Sequence, residues 1–360
     1  MNAEWYRGIF IAPVFYTGAF IFCIFPPDTT EKINILEEKK MKKMLAVMLV
    51  IAMLAVMCAG CGEAAMQNLE KAAENLSDST DYSVGICQLM KHDSLDAATQ
   101  GFIDALNAEI EKAGKTVNIN TQVAGETDKC VTIVNAFVAS DVDLIMGNAT
   151  PAVLAAANTA TDIPVLGTSV TDYADAFGGT IPENVSGTSD AVPFAEQAQM
   201  MIDTLGLVEG DLVGVLYCTN ESNSVVQYEA VKALFEEKGI VVKAYTFSET
   251  TELNGVVETM AAEVKAVYVP SDNTVAQNDT IVGTICNEKN VPVYTSYGGT
   301  VCYASLAIDY YQLGYETGVM AAQILLGKTT VADTEIKTLT PTVTYNEELC
   351  QKLGITVPEN

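Results

Sequence analysis

Polar residues that could hold a small charged molecule follow several strand-like runs of this sequence. In the first half, Ala149-Thr150-Pro151 and Ser169-Val170-Thr171 place backbone amides and hydroxyls at predicted strand ends. Pro151 suits the first turn of a helix, and the unpaired amides of such a turn attract an anion. Because the only Arg of the chain is Arg7, a carboxylate would be held by these groups rather than by a guanidinium. The two segments therefore predict a carboxylate site.

Carboxylates at predicted strand ends in the second half could bind an ammonium group. Asp272, after KAVYVP, is the favoured partner, Asp309, after SLAI, is the second choice, and Glu221 follows LVGVLY. Asp309 could instead cap the helix after it, and Thr150 and Ser169 could serve only as caps. Amide and imidazole side chains predicted to contact the rest of a ligand are Gln88, His92, Asn223 and Asn273. The alternatives are a structural hydrogen-bonding role for the His and a turn role for the two Asn.

Most other kinds of chemistry are disfavoured by composition. The chain has one His, which leaves no multi-His metal site, and it lacks G-x-S-x-G, P-loop and G-x-G-x-x-G motifs. We therefore expect neither an enzyme nor a bound cofactor or metal. A formal charge of −27 disfavours nucleic acid as a partner. Cys87 and Cys218, in strand-like runs, are interpreted as buried thiols, and the spacing of the Cys residues after Cys61 does not reveal any pairing.

The segments between these groups alternate between strand-like and helix-like patterns from Tyr82 onward. In the first half, strands are predicted over 83–87, 116–123, 142–147 and 163–167, with helices beginning near Ser94, Asp128 and Pro151. In the second half the strands are LVGVLY, IVVKAYTF, KAVYVP and VPVYTS, with helices beginning near Ser222, Thr251 and Thr274. This alternation predicts an α/β fold in which ligands bind beyond the carboxyl ends of parallel strands.

The two halves predict two doubly wound parallel-sheet lobes that face each other across a cleft. We assign residues 82–192 and 309–328 to lobe 1, and residues 193–308 and 329–360 to lobe 2. The amphipathic segment 309–327 is expected to cross back and pack on lobe 1. A chain that crosses between the lobes more than once forms a hinge, which allows the lobes to move without separating.

The N-terminal sixty residues predict targeting rather than a fold. Residues 41–60 read as a signal peptide, and Cys58-Ala59-Gly60-Cys61 resembles a bacterial lipobox, which predicts a lipid on Cys61 and a polar tether over 61–81. The alternative is a transmembrane anchor. Residues 1–40 contain a second apolar run, at 9–25, and we interpret them as upstream sequence translated from a misassigned start. The alternative for that run is an extra membrane span.

A series of short motifs follows the tether in a specific order and spacing: His92-x-x-Leu95-Asp96 with Gln100-Gly101-Phe102, Val142-Asp143-Leu144-Ile145 with Ala149-Thr150-Pro151-Ala152, Asp162-Ile163-Pro164-Val165 with Ser169-Val170-Thr171-Asp172, Asn184-Val185-Ser186-Gly187-Thr188-Ser189-Asp190, Asn220-Glu221-Ser222-Asn223-Ser224, Val269-Pro270-Ser271-Asp272-Asn273-Thr274, and Ile308-Asp309-Tyr310-Tyr311-x-Leu313-Gly314. Over about residues 83–345 these resemble the tryptophan/tyrosine-type substrate-binding lipoproteins of bacterial ABC transporters, which have the type I periplasmic-binding-protein fold. Asp93 departs from the Pro that usually follows the His in this family.

The resemblance implies an extracytoplasmic, lipid-anchored component of an ABC importer that binds tryptophan, tyrosine or phenylalanine in the cleft. It implies an ABC permease and its ATPase as partners, and we expect a monomer. The residues themselves favour an amino acid over a sugar, because sugar binders of this fold typically use Arg and an aromatic sandwich. Candidate packing partners for the ligand ring are Tyr173, Phe177 and Tyr297. A lipid-anchored sensor domain, or a binder of a sugar or nucleoside, remains the alternative.

We expect the natural protein to begin at Met41 and, after processing, at a lipid-modified Cys61. Mass spectrometry of the protein purified from its own cells checks this expectation. A peptide from residues 1–40 would contradict the misassigned start, and an unmodified Cys61 retained within a longer chain would contradict the lipobox.

Overall fold

The computed structural model describes residues 13–16, 19–22 and 80–358. The chain divides into two units, residues 1–79 and 80–360. In the first unit, strands β1 (Pro13–Tyr16) and β2 (Ala19–Phe22) pair as an antiparallel hairpin. The predicted signal peptide over 41–60, Cys61 and nearly all of the tether lie outside the described residues. No helix in the described ranges combines the length and apolar character needed to cross a membrane.

Lobe 1 is built on a six-stranded parallel sheet. Its strands are β3 (Tyr82–Gln88), β4 (Val117–Val123), β5 (Leu144–Asn148), β6 (Val165–Val170), β7 (Val185–Ser189) and β13 (Lys337–Thr338), in the order β13-β7-β6-β5-β3-β4. The helices between them are α1 (Asp93–Lys112), α2 (Thr127–Ala139), α3 (Thr150–Thr159) and α4 (Tyr173–Ala176). The central strands β5, β6 and β7 are buried along their whole length, as expected where helices cover both faces of a parallel sheet.

Lobe 2 repeats this architecture. Its sheet contains β8 (Leu212–Cys218), β9 (Val241–Phe247), β10 (Ala266–Val269), β11 (Val293–Thr295), β12 (Ala304–Ala307) and β14 (Thr342–Tyr345), in the order β14-β12-β11-β10-β8-β9. Only β14 runs antiparallel to its neighbour in this sheet. The helices are α5 (Phe194–Leu205), α6 (Ser222–Glu237), α7 (Leu253–Glu263) after a 3-10 turn (Thr250–Glu252), α8 (Asn273–Gln277), α9 (Asp279–Glu288) and α11 (Glu347–Leu353).

One long helix, α10 (Tyr310–Leu325), follows β12 of lobe 2 but packs against α1 of lobe 1. Its Met320 and Leu325 share an apolar cluster with Phe102 and Leu106 of α1. Small residues allow the two backbones to touch, since a Cβ on Gly314 would stand 1.8 Å from the Ala98 carbonyl oxygen. The crossing helix is therefore joined to lobe 1 by tight packing.

The predicted fold class, two parallel α/β lobes, is confirmed. Two details differ from the sequence-based assignment. Residues 185–189 form β7, which we did not predict as a strand, and β13 pairs with it in lobe 1 although residues 329–360 were assigned to lobe 2. The Ser186 hydroxyl also donates to the Thr334 carbonyl oxygen at 2.6 Å. The chain returns to lobe 2 only at β14, which pairs with β12.

Gly314→Ala should lower the free energy of unfolding by about 1–3 kcal/mol, because the new methyl group would overlap the α1 backbone. Urea denaturation of residues 80–360 measures this change. Gly255→Ala on α7 is the matched control: a Cβ there meets nothing within 4 Å, and the change should be neutral or stabilising by up to about 1 kcal/mol. Equal stabilities of the two variants would contradict the close helix contact.

Candidate functional site

A cavity lies between the carboxyl ends of the two sheets, where the lobes meet. Its lining residues come from the end of β6, from loops after β3, β7, β10 and β11, and from the helices α1, α8 and α10: His92, Leu95, Ser169, Asp190, Ser271, Asp272, Asn273, Ala276, Tyr297 and Tyr310. The enclosed volume is about 10 Å³, roughly the room needed by one water molecule. A larger molecule can therefore enter only when the lobes move apart.

Polar side chains connect the lobes across this cavity. Nε2 of His92, in lobe 1, lies 3.3 Å from Oδ1 of Asn273, in lobe 2. Nε2 of Gln227, on α6, donates to Oγ1 of Thr171, which follows β6, at 3.3 Å. Burial lowers the pKa of His92, so its neutral imidazole is favoured at pH 7. These two polar contacts are easier to break than the packed α1–α10 contact.

The backbone of lobe 1 is strained at the two segments predicted to bind a carboxylate. Ala149 and Ser169 have φ angles of 88° and 57°, values that non-glycine residues seldom adopt. Oγ1 of Thr150, the first residue of α3, and Oγ of Ser169 are buried and have no hydrogen-bond partner. Strained backbone and unpaired buried hydroxyls both cost free energy, and they concentrate where a protein binds a ligand. Ser169 lines the cavity, whereas Thr150 follows the neighbouring strand β5 and is not part of the cavity lining.

Glu221 holds the loop that forms the lobe 2 wall of the cavity. It lies just before α6, is 2% exposed, and accepts four hydrogen bonds. The amide and side-chain Nδ2 of Asn273 donate to Oε2, and the amide and hydroxyl of Thr274 donate to Oε1, all at 2.7–2.8 Å. With both oxygens already engaged, Glu221 shapes the site rather than offering a free carboxylate.

Asp272 is part of the cavity wall and also caps α8. Its Oδ1 accepts from the Val275 amide, and its Oδ2 accepts from the Cys218 amide and the Ser224 hydroxyl, each at 2.8 Å. Burial, followed by the nearby Glu221, raises its pKa. The ammonium role of Asp272 stays a prediction, but most of the accepting capacity of this carboxylate is used within lobe 2.

Four of the predicted site residues line the cavity: His92, Ser169, Asp272 and Asn273. Asp309 and Gln88 are among those that do not. Asp309 is exposed and caps α10 by accepting from the Gln312 amide at 3.0 Å. Gln88 is buried inside lobe 1, where it donates to Asp96 and accepts from the Thr99 hydroxyl, both at 2.6 Å. These hydrogen bonds give both residues a structural role within the protein.

Asn223 and Val170 also lie outside the cavity lining. Asn223 donates to the Ser271 carbonyl oxygen at 2.8 Å, and its Oδ1 is buried without a partner. Val170 belongs to the apolar core of lobe 1, as do Tyr173 and the partly buried Phe177. Of the three predicted ring partners, only Tyr297 lines the cavity.

Sequence reasoning did not select several cavity residues as binding residues, Asp190 and Tyr310 above all. Asp190 is 5% exposed and accepts from Thr171 Oγ1 at 3.0 Å and from Tyr310 OH at 2.8 Å. Burial raises its pKa, and the two hydroxyl donors oppose this rise. Both residues belong to motifs quoted above, at 184–190 and 308–314. The polar side chains of these motifs were the sequence signal that could have identified them. The Tyr297 hydroxyl is buried without a partner.

Residues 83–360 match the protein family described as ABC transporter substrate binding protein. A tyrosine-binding protein of Clostridioides difficile (strain R20291) is 31% identical over 327 residues, which cover 88% of this chain and 93% of that protein.

Two solved structures are similar over most of their length. A Streptococcus pneumoniae ABC domain in complex with L-Trp is 32% identical, with a TM-score of 0.71, and covers 77% of this chain and 96% of its own. The ligand-free, open structure of a Clostridium difficile substrate binding protein with adhesive properties is 33% identical, with a TM-score of 0.59, and covers 78% and 97%. The lower TM-score against the open structure is consistent with lobes that touch across the cleft here.

Glu221→Gln should destabilise the protein by about 1–3 kcal/mol, because an amide nitrogen placed among four donors leaves at least one of them unpaired. Thermal or urea unfolding measures the loss. Glu258→Gln, at an exposed position on α7, is the control and should change stability by less than about 0.5 kcal/mol. A Glu221→Gln protein as stable as the control would contradict the role of Glu221 in holding the loop.

Proposed function

Because the chain belongs to the ABC transporter substrate binding protein family, we propose that it captures an aromatic amino acid in the cleft between its lobes and delivers it to an ABC permease. The permease would be driven by a cytoplasmic ATPase. Proteins of this family are carriers, and we propose that this one likewise catalyses no reaction on its ligand.

The observation that carries the proposal is the pair of buried, unpartnered hydroxyls on the lobe 1 side of the cleft. Thr150 Oγ1 and Ser169 Oγ lie at the ends of neighbouring strands, next to the first turn of α3. The first amides of a helix have no partner within it and carry partial positive charge. Hydroxyls and amides arranged in this way suit a carboxylate and need no cation, which agrees with a domain that has no Arg.

The rest of the cavity supports an amino acid with an aromatic side chain. Leu95 and Ala276 supply apolar surface from opposite lobes, and Tyr297 supplies an aromatic ring. The C. difficile relative is named for tyrosine, and the S. pneumoniae structure contains L-Trp. Solute-binding proteins with L-rhamnose or myo-inositol bound match at 14% and 16% identity, a likeness that shows the fold alone.

The proposed mechanism is capture, closure and delivery. A cavity of about 10 Å³ is too small for an amino acid, so the lobes must separate to admit it and rest farther apart around it than they do here. A ligand that contacts both lobes favours the closed arrangement because its contacts are complete only there. The tight α1–α10 contact keeps the hinge helix with lobe 1 during this movement.

ABC substrate-binding proteins work outside the cytoplasmic membrane. We propose that a lipid on Cys61 holds this protein at the outer face of that membrane and that residues 62–81 connect the lipid to the domain. We propose further that the protein binds its ligand as a monomer, because each chain contains a complete cleft.

A calorimetric and thermal-shift screen of the twenty amino acids, with sugars and nucleosides added, tests the proposed ligand. We expect tryptophan, tyrosine or phenylalanine to raise the melting temperature, since a ligand at 100 times its Kd stabilises the folded state by about 2.7 kcal/mol. Stabilisation by a sugar or nucleoside, and by none of the aromatic amino acids, would overturn the assignment.

The same titration on Ser169→Ala tests the site. Because Ser169 Oγ is buried without a partner in the protein, its removal should not lower the unliganded melting temperature, and it should weaken binding of the amino acid about tenfold. Ser140→Ala, on the exposed end of α2, is the control for affinity. Equal affinities of the two variants would contradict a role for Ser169 in binding.

A further inference from the structure

Asp190 differs from the other buried carboxylates of the described domain. In residues 80–358 the buried acidic residues are Asp190, Glu221 and Asp272. The carboxylates of Glu221 and Asp272 accept backbone amides and hold loops in place. The side-chain donors to Asp190 are two neutral hydroxyls, Thr171 Oγ1 and Tyr310 OH, with one on each oxygen. Each oxygen keeps capacity for another hydrogen bond.

No cation of the described domain compensates the charge of Asp190. The domain has no Arg, none of its Lys residues is buried, and the only His, His92, has its pKa lowered by burial. A buried carboxylate without a positive partner is unfavourable, and burial accordingly raises the pKa of Asp190. A cationic group placed beside it would supply the missing charge.

Unpartnered polar groups next to Asp190 indicate that a ligand occupies this part of the cavity. Ser169 Oγ and Tyr297 OH line the same cavity, are more than nine-tenths buried, and have no hydrogen-bond partner. We propose that Asp190 binds the ammonium group of the amino acid held in the cleft. This inference rests on the function proposed above.

Asp190 lines the cavity and is also linked by hydrogen bonds to a contact between the two lobes. Thr171, which donates to Asp190, accepts a hydrogen bond from Gln227 of lobe 2 at 3.3 Å. Oε1 of the same Gln227 accepts from the amide of Ser271, in the lobe 2 wall of the cavity, at 3.0 Å. Charge on Asp190 strengthens the hydrogen bond from Thr171, and chains of hydrogen bonds polarise one another. An ammonium that keeps Asp190 ionised therefore favours the contact between the lobes.

The test compares Asp190→Asn with the wild type, using L-tyrosine and its deaminated analogue 3-(4-hydroxyphenyl)propionic acid. L-tryptophan and indole-3-propionic acid form a second pair. Calorimetry of the wild type should show the amino acid binding about 100-fold more tightly than the analogue. In Asp190→Asn the amino acid should lose about 100-fold in affinity and the analogue less than about threefold. Asp203→Asn, an exposed position on α5, is the control and should behave as the wild type.

Three results would overturn the inference. An equal loss of affinity for amino acid and analogue in Asp190→Asn would assign Asp190 a purely structural role. Equal affinity of the wild type for the two ligands would show that the protein does not recognise the ammonium group, although the proposal of an aromatic ligand would still stand. If Asp272→Asn no longer distinguished the amino acid from its analogue, and Asp190→Asn still did so as the wild type does, the ammonium group would be assigned to Asp272.

A second variant and a measurement on the wild type complete the test. If Asp190→Asn does not fold, Asp190→Ser provides the same comparison, because its hydroxyl can accept from Thr171 or Tyr310 without carrying charge. A wild type that binds none of the aromatic amino acids would instead overturn the proposed function, and this result appears before any variant is made. Failure of the two proposals is therefore distinguishable.

Discussion

The cleft must hold negative charge without a buried positive partner. Asp190, Glu221 and Asp272 are buried around it, and the domain supplies neither an Arg nor a buried Lys. Backbone amides and hydroxyls therefore carry the compensation, as unpaired buried carboxylates would be strongly destabilising. This requirement fixes the local geometry: Glu221 and Asp272 bind the amides at the start of α8, and Asp190 binds the hydroxyls of Thr171, after β6, and Tyr310, at the start of α10.

The contacts within each lobe are tighter than the polar contacts between the lobes. Within lobe 2, Glu221 alone accepts four hydrogen bonds, and the α1–α10 contact brings Gly314 against the Ala98 backbone. Between the lobes, by contrast, the contacts beside the cavity are longer polar ones, such as those of His92 with Asn273 and Gln227 with Thr171, both at 3.3 Å. Separation of the lobes can therefore break these polar contacts while each lobe keeps its own shape. This difference suits a protein that binds and releases its ligand through lobe movement.

Much of the fold could be predicted because its signals are local. Runs of β-branched residues alternating with amphipathic segments indicate a parallel α/β sheet whatever the distant contacts are. β7 was missed because VSGTS is made of small polar residues and depends on burial between neighbours. β13 has two exposed residues and exists only because β7 offers an edge. The positions of Thr150 and Ser169 were predictable because both are at strand ends, Thr150 just after β5 and Ser169 next to the last residue of β6.

By itself, the sequence determined the fold class, the edge of the sheets at which polar residues gather, and the absence of Arg from the α/β domain. Only the tertiary structure decided what each carboxylate does. Asp272, Asp309 and Glu221 look alike at strand ends, yet the partners of Asp272 and Glu221 include residues 48–54 positions away, while Asp309 is an exposed cap. Asp190 meets Tyr310 across 120 positions. Such pairings follow from how the lobes pack, because the accepting capacity of a side chain depends on which donors the fold brings to it.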